Sequence, residues 1–272
     1  MRRKLEALAR QTTGAAAFEV VLVDNACPDR VGERLGGESW PFALRVLRSD
    51  RRLNAADGRA WAAREARGRW LWWSDDDVVP ADDALAVHLT VQARRPGVTI
   101  GSVRFVGEQG SHAWRPWRAG PVQVTGVNTL LPREAVLAVA PRLPRLPRAY
   151  GGEDALVGLA LRADGVAFAD APDAWVDHLG PLPARDAGAA AKAFDAGYNA
   201  AVIARLYPSA AWALGTHALS LGLKRVALAG AWRGVWSVLA PRRWAFERAY
   251  LDGALAARRD AGDASPVTED ET

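Results

Sequence analysis

Apolar runs alternate with amphipathic or Ala-rich segments through about residue 130. The run FEVVLVD (18–24) is nearly continuous in apolar residues, which is typical of a buried parallel strand. The segment DGRAWAAREAR (57–67) is helix-forming, with Asp57 as a candidate N-cap. The strand segments are 18–24, 43–48, 70–74, 98–106 and two short ones within 166–178; the helix segments are 2–11, 57–67, 81–95, 133–140 and 153–165. The alternation favours an α/β fold with a mostly parallel sheet flanked by helices.

The C-terminal third has a different pattern. From about residue 190 the chain is rich in Ala, Arg and Trp and is expected to be helical. Such a mixture suits helices that lie in a membrane interface, or helices that pack on the rest of the chain. We predict an α/β domain over 1–190, a helical extension over 191–258 and a disordered acidic tail over 259–272.

Composition narrows the class of protein. The 272 residues carry a net charge of +4, which is mild, and neither a zinc-finger spacing nor a basic stripe with interleaved aromatics is present. A nucleic-acid partner is therefore not expected. Cys27 is the single cysteine, so an intramolecular disulfide framework is excluded and a cytoplasmic location is expected. The start has no apolar segment typical of a signal peptide.

Three consecutive carboxylates follow the strand WLWWS. Asp75, Asp76 and Asp77 repel one another, so folding alone gains nothing from this arrangement. They can form a solvated turn, or they can bind a hard divalent cation. Asp24 also ends a predicted strand. Since ligands of parallel α/β sheets bind at the carboxyl ends of strands, two acidic ends favour a binding site.

Five segments in order carry a family resemblance. They are VLVDNACPD (21–29), the Arg-rich helix leading into WLWWSDDDVVP (70–80), GVNTLLPREAV (126–136), GGEDALVGLALRADG (151–165) and WVDHLGP (175–181). Together they resemble a family-2 glycosyltransferase with the GT-A fold, over roughly residues 1–200. The resemblance implies a Rossmann-like domain, which the helical C-terminal extension would follow.

The resemblance implies a metal-dependent donor site. Asp75 and Asp77 match the first and last residues of the Asp-x-Asp motif, with Asp76 as the middle residue. In the family the last Asp binds the cation, Mn²⁺ or Mg²⁺, and the first lies near the ribose. His178 matches the late histidine that can complete the metal shell.

Further donor contacts are implied at four positions. Asp24, with Asn25 beside it, matches the position that faces the nucleotide base. Arg59 matches the helix arginine that precedes the metal strand, although the usual Arg-Asn-x-Gly is replaced by RAWA. Asn128 matches a residue that lines the sugar and acceptor pocket.

The catalytic pair implied by the family is Glu153 and Asp154. An inverting transfer needs a general base for the acceptor hydroxyl, and Asp154 matches that base. Glu153 would orient the acceptor or the loop. A helix N-terminus, which we predict here, stabilises such carboxylates.

The chain differs from the family at its start. Family members usually open with a strand that contacts the base and pairs in the middle of the sheet, whereas MRRKLEALARQ corresponds to the helix after it. A missing central strand would leave unpaired edges and an apolar groove. We expect the native product to be longer than 272 residues, which mass spectrometry of the endogenous protein would test.

The resemblance implies an inverting glycosyltransferase. Its donor would be a UDP- or dTDP-sugar, and its acceptor a hydroxyl of a glycan or lipid-linked molecule in bacterial surface polysaccharide synthesis. Peripheral contact with the inner face of the cell membrane through the C-terminal helices is a further expectation. The alternative is a truncated inactive homologue that binds a nucleotide, a glycan or another partner.

Overall fold

A computed structural model describes residues 1–107, 110–116, 120–180, 188–228 and 240–263. The chain divides into two compact units. The first contains residues 1–144 and 153–181, and the second contains residues 145–152 and 182–272.

The first unit is an α/β domain with eight strands and six helices in its described part. The strands are β1 (Glu19–Asn25), β2 (Ala43–Ser49), β3 (Trp70–Trp73), β4 (Val78–Pro80), β5 (Val98–Gly107), β6 (Gly110–Trp114), β7 (Thr129–Pro132) and β8 (Phe168–His178). The helices are α1 (Arg2–Ala9), α2 (Val31–Gly36), α3 (Ala55–Glu65), α4 (Ala84–Arg94), α5 (Arg133–Val139) and α6 (Glu153–Ala163).

The strands form two sheets. Strands β1 and β2 pair in parallel, and the second sheet has the order β3-β7-β5-β8-β4, with β6 paired to β5. The β1–β2 and β5–β8 pairs are parallel and have the longest registers, while the other pairs are antiparallel. The α/β fold class is confirmed, and helices flank the sheet as expected.

The main core lies between the larger sheet and three helices. Leu71, Ile100 and Leu131 point from the strands into this core, where they meet Val136 of α5 and Leu161 of α6. Burial of such side chains contributes about 1.5–3 kcal/mol each. Packing of this core fixes the positions of the strand ends, where the candidate site residues lie.

A second cluster holds α1 and α2 on the small sheet. Leu5 and Leu8 of α1 are buried with Leu35 and Phe42. The helix α1 thereby presents the neighbouring Lys4 to the end of β3.

Several local predictions need correction. Asn54, rather than Asp57, caps α3, since its side chain accepts from the amide of Asp57 at 2.7 Å. Strands β4, β6 and β7 were missed because runs of three to five residues carry too little periodicity. The two short strands predicted within 166–178 are one strand, Phe168–His178. The pairing of β8 with β5 shifts register between Gly101 and Ser102. Pro172 is one of the extra residues of β8 at this shift, so the strand continues past it.

The second unit is helical. Its helices are α7 (Ala189–Leu206), α8 (Ala218–Ala227) and α9 (Pro241–Asp263). Helices α7 and α9 pack closely at two glycines: a Cβ on Gly197 would lie 2.0 Å from the carbonyl oxygen of Tyr250, and one on Gly253 would lie 2.0 Å from that of Phe194. Only glycine permits this approach.

Helix α9 extends further than expected. It runs to Asp263, so the first residues of the predicted tail, 259–263, are helical, and 264–272 lie outside the described residues. The Ala- and Arg-rich sequence favours continuation of the helix. Within the described ranges, no helix combines the length and apolarity needed to cross a bilayer.

Candidate active site

The three aspartates form a turn between β3 and β4. The amide of Val78 donates to the carbonyl oxygen of Asp75 at 3.3 Å, which closes the turn. Lys4 donates from Nζ to that same carbonyl at 2.7 Å and to Ser74 Oγ at 2.5 Å. Backbone hydrogen bonds hold the turn, so the carboxylates of Asp75, Asp76 and Asp77 remain available for other contacts. The turn and the binding site are therefore compatible.

Arg59 joins the turn to the start of α6. Its Nη2 lies 3.1 Å from Asp75 Oδ1, and its Nη1 lies 2.5 Å from Asp154 Oδ1 and 3.4 Å from Glu153 Oε1. The guanidinium also packs over the ring of Trp73, 5.4 Å from its centroid. Helix α3 therefore delivers Arg59 into a cluster of three carboxylates, in which Asp75 is far in sequence from the adjacent pair Glu153 and Asp154.

Asp154 is the most enclosed of these carboxylates. Its Oδ2 accepts from the amide of Gly126 at 2.7 Å, and its side chain is 20% exposed. Burial raises the pKa of Asp154 to about 6, with Glu153 acting in the same direction and Arg59 against it. A carboxylate with that pKa is ionised at neutral pH and still basic enough to accept a proton.

Asp77 and His178 approach each other at the other side of the turn. His178 Nε2 lies 3.7 Å from Asp77 Oδ2. The amide of Gly180 donates to Nδ1 of His178 at 3.1 Å, which leaves the proton of the neutral ring on Nε2. In the described part of the chain, no group of three or more His, Cys, Asp or Glu side chains has a geometry that could hold a metal by itself.

Asp24 lies inside the first unit. It is 1% exposed and accepts from the amides of Cys27 and Gly32 and from Arg48, at 3.0, 3.2 and 2.8 Å. Burial opposes ionisation, but these donors hold the pKa of Asp24 below its ordinary value. Asn25 next to it exchanges hydrogen bonds with the backbone of Leu53.

Asn128 is also interior, being 1% exposed. It donates to the carbonyl oxygens of Ser102 and Ala174 and accepts from Trp72 Nε1 at 2.9 Å. Its Oδ1 also lies 2.9 Å from His88 Nε2. The side chain thus links strands β5 and β8 to β3 and α4, and its predicted contact with a ligand stays a prediction.

A cavity of about 600 Å³ runs between β1 and β3. One end is polar and is lined by four of the predicted donor residues, Asn25, Arg59, Asp75 and Asp76. Most of its length is apolar, along residues 18–23 and 70–73. Among the described residues, β1 pairs only with β2 and β3 only with β7, so both strands turn an unpaired edge to this groove. An apolar groove beside unpaired strand edges is what the sequence predicts.

The family assignment rests on the sequence as well as the fold. The model of the family described as Glycosyl transferase family 2 matches residues 1–144, which is more than half of the chain. The chain belongs to glycosyltransferase family 2. A relative from Haemophilus influenzae, named an uncharacterized glycosyltransferase, is 37% identical over 73 residues. That alignment covers 27% of this chain and 23% of the relative, so the chain spans about a quarter of the relative's length there.

Solved structures support the fold of this family-2 chain. A mannosyltransferase from Pyrobaculum calidifontis, solved with GDP-Man and Mn²⁺, is 22% identical, with a TM-score of 0.61 over 95% of this chain and 83% of that one. S. aureus TarS, solved with UDP-GlcNAc, is 14% identical, with a TM-score of 0.56 over 95% of this chain and 88% of that one. The fold is GT-A.

Two residues of the candidate site were not predicted from the sequence. Lys4 supports the turn of the three aspartates. The sequence feature that could have indicated this role is the position of Lys4 next to Leu5, on the buried side of α1. Burial lowers the pKa of Lys4 to about 8, opposed by the nearby aspartates. Gly126 supplies the amide that binds Asp154. A backbone donor leaves no signal in the sequence beyond its place in GVN.

Proposed function

We propose that this family-2 chain is an inverting, metal-dependent glycosyltransferase. It would move a sugar from a UDP- or dTDP-sugar to a hydroxyl of a glycan or lipid-linked acceptor, in bacterial surface polysaccharide synthesis. One observation carries the proposal: Asn25, Arg59, Asp75 and Asp76 line a single cavity, and Arg59 connects it to the carboxylate of Asp154. The proposed donor site and the proposed base would therefore share the side chain of Arg59.

The donor would occupy the polar end of the cavity. The mannosyltransferase and TarS were solved with GDP-Man and UDP-GlcNAc, which share a nucleoside diphosphate linked to a sugar. Asn25 and Asp75 would contact the nucleoside of the donor. Asp76 would contact the donor from the exposed side of the turn. For Asp24 and Asn128 we propose a supporting role, because both are buried and bonded to protein groups. Asp24 would hold the loop behind Asn25.

Asp77, His178 and Asp75 are the residues that would hold Mn²⁺ or Mg²⁺. The described side chains form no metal cage by themselves. The types of ligand fit, because Mg²⁺ in phosphate sites commonly takes one or two carboxylates and completes its shell with phosphate oxygens and water. Binding through Nε2 of His178 would shift the ring proton to Nδ1, and the amide of Gly180 would then have to turn away. A bound divalent cation neutralises charge that develops on the diphosphate as it leaves.

Asp154 would act as the general base. Each of its oxygens already accepts one hydrogen bond, from Arg59 and from Gly126, and each retains a further lone pair. As the acceptor oxygen attacks the anomeric carbon, its proton would pass to Asp154 while the bond to the diphosphate breaks. Arg59 keeps the carboxylate ionised before the transfer, and Glu153 would orient the acceptor at the first turn of α6.

Thermal stabilisation tests the donor site. UDP, dTDP and GDP are each added with and without Mn²⁺, and the unfolding midpoint is measured. A ligand that binds only the folded state at a hundredfold excess over its Kd adds about 2.7 kcal/mol. We expect a shift that requires both Mn²⁺ and UDP or dTDP. It should vanish in Asp77→Asn and persist in Asp82→Asn, an exposed aspartate two positions beyond β4.

The groove between β1 and β3 favours a second candidate, a donor-binding homologue without transfer activity. An unpaired strand edge beside Asn25 would leave the proposed nucleotide site open on one side. Release of UDP from a UDP-sugar in the presence of acceptor separates the two. Stabilisation by UDP and Mn²⁺ with no sugar transfer to any bacterial glycan or glycolipid extract would support this second candidate instead.

A further inference from the structure

Helix α8 of the second unit is apolar on two opposite faces. Leu221 and Leu228 point inward and are buried with Leu251 and Ala254 of α9. Leu219, Leu223 and Val226 are spaced four and three residues apart, on the side of the helix opposite Leu221. They are 58%, 62% and 71% exposed. An apolar face of a helix normally packs against another surface.

The exposed apolar side chains are concentrated here. Eight large apolar side chains are exposed among the described residues, and five of them fall within 206–226. The set includes Trp212, which is 57% exposed and stacks on His217 at a centroid distance of 4.2 Å. His217 in turn caps α8 by accepting from the amide of Leu219. The tryptophan is thus held beside the start of the helix. We call Trp212, Leu219, Leu223 and Val226 the α8 surface.

The charge around the α8 surface is mostly positive. Residues 196–246 contain no Asp or Glu, and their six basic residues are Arg205, Lys224, Arg225, Arg233, Arg242 and Arg243. Lys224 is bonded to Glu247 of α9 at 3.1 Å, which places the beginning of α9 beside α8. Arg225, Arg242 and Arg243 are exposed in this region.

We propose that the α8 surface docks on the headgroup region of an anionic lipid bilayer. Leucine and valine side chains would enter the acyl boundary, Trp212 would lie at the headgroup level, and the exposed arginines would contact lipid phosphates. An anionic surface complements this region, because residues 196–246 contain six basic residues and no Asp or Glu. A second copy of this chain would instead bring two basic faces together.

Vesicle binding by the full chain tests the proposal. Sucrose-loaded vesicles of phosphatidylcholine with phosphatidylglycerol, and of phosphatidylcholine alone, are sedimented with the protein at low salt. We expect binding to the anionic vesicles that weakens as salt is raised. The triple variant Leu219→Ser, Leu223→Ser, Val226→Ser should partition at least about tenfold less, because it removes the three apolar side chains that would enter the bilayer.

Two controls keep the result interpretable. Val106→Ser removes an exposed apolar side chain from the first unit and should bind as the parent does. Arg225→Glu leaves the apolar face intact. It should reduce binding to the vesicles with phosphatidylglycerol and leave binding to phosphatidylcholine vesicles unchanged. This variant also tests the proposal if the triple variant does not fold. The proposal is overturned if the parent leaves phosphatidylglycerol vesicles unbound, or if the triple variant binds equally well. It is also overturned if light scattering finds a dimer that the triple variant dissociates.

Discussion

Arg59 Nη1 lies 2.5 Å from Asp154 Oδ1, across 95 residues of sequence. The pair is partly shielded, with side-chain exposures of 21% and 20%. Because a cation at this distance favours the carboxylate, Arg59 lowers the pKa that burial raises. The same guanidinium reaches Asp75 at the donor end of the cavity. The charge state of the proposed base is therefore coupled to the donor site.

Replacing the base should abolish transfer without loss of donor binding. We expect Asp154→Asn to lower kcat by about 10²–10⁴, the usual contribution of a general base. Stabilisation by UDP and Mn²⁺ should remain, since Asp154 does not line the cavity. Asp164→Asn, which lies just beyond the other end of α6, is the matched control. An Asp154→Asn enzyme with the parent rate would exclude this residue as the base.

The rate of transfer should depend on pH with an acid limb. Asp154 accepts a proton only when ionised, and its pKa is about 6. The value of kcat/KM should therefore rise about tenfold per pH unit below 6 and level off above it. A profile measured from pH 4.5 to 8 checks this, with stability followed in parallel. A rate that stays constant down to pH 5 would contradict the assignment.

Replacing Arg59 should shift the acid limb of the pH profile of kcat/KM. Arg59→Gln takes away the cation that favours ionised Asp154, so the pKa of Asp154 should rise and the acid limb should shift to higher pH. The loss of charge also leaves Asp75, Glu153 and Asp154 to repel one another. Arg64→Gln on the exposed side of α3 should leave the profile unchanged. A loss of rate at every pH with no shift of the limb would indicate that Arg59 acts on the donor alone.

A methyl group at Gly126 should displace Arg59. A Cβ there would lie 1.9 Å from Arg59 Nη2 and 2.7 Å from Asp75 Oδ1. Both atoms are at the ends of side chains, so we expect Gly126→Ala to fold and to lose most of its activity. In Gly37→Ala the nearest atoms are 3.7 Å away, which is an ordinary contact, and activity should persist. Full activity in Gly126→Ala would mean that the Arg59–Asp75 contact is dispensable.

The buried His88 should make stability depend on pH. Burial lowers the pKa of His88 from 6.5 to about 4, and its ring contacts Thr99 and Asn128. The unfolded chain binds the proton first, so this contribution to stability is present above pH 6.5 and is lost as pH falls toward 4. The loss is about 3 kcal/mol at most. Urea unfolding at pH 7 and pH 4 measures it.

His88→Phe provides the comparison for this stability measurement. The variant removes the titrating ring and should lose less stability than the parent between the two pH values, even if it is less stable at pH 7. His217→Phe, in the second unit, controls for a histidine that is only half-buried. Equal losses in the parent and in His88→Phe would show that other groups dominate the acid response.

Local patterns predicted the long elements well. The strands expected at 18–24 and 43–48 are Glu19–Asn25 and Ala43–Ser49, because continuous apolar runs bounded by polar residues carry a strong signal. The three-residue strand Val78–Pro80 gave no such signal. Its extended conformation depends on pairing with β8, about 100 residues later in the chain. Short strands of this kind are decided by their partners.

For the site, the sequence determined which residue types are present and that Asp75–Asp77 and Asp154 follow or open elements of regular structure. Only the tertiary structure decided which of these residues contact one another. It brings Arg59 to Asp75 and Asp154 although its local motif departs from the family pattern, and it places Asp24 and Asn128 in the interior. The physical reason is distance along the chain: propensity and periodicity act over a few residues, whereas these contacts depend on sheet register and core packing.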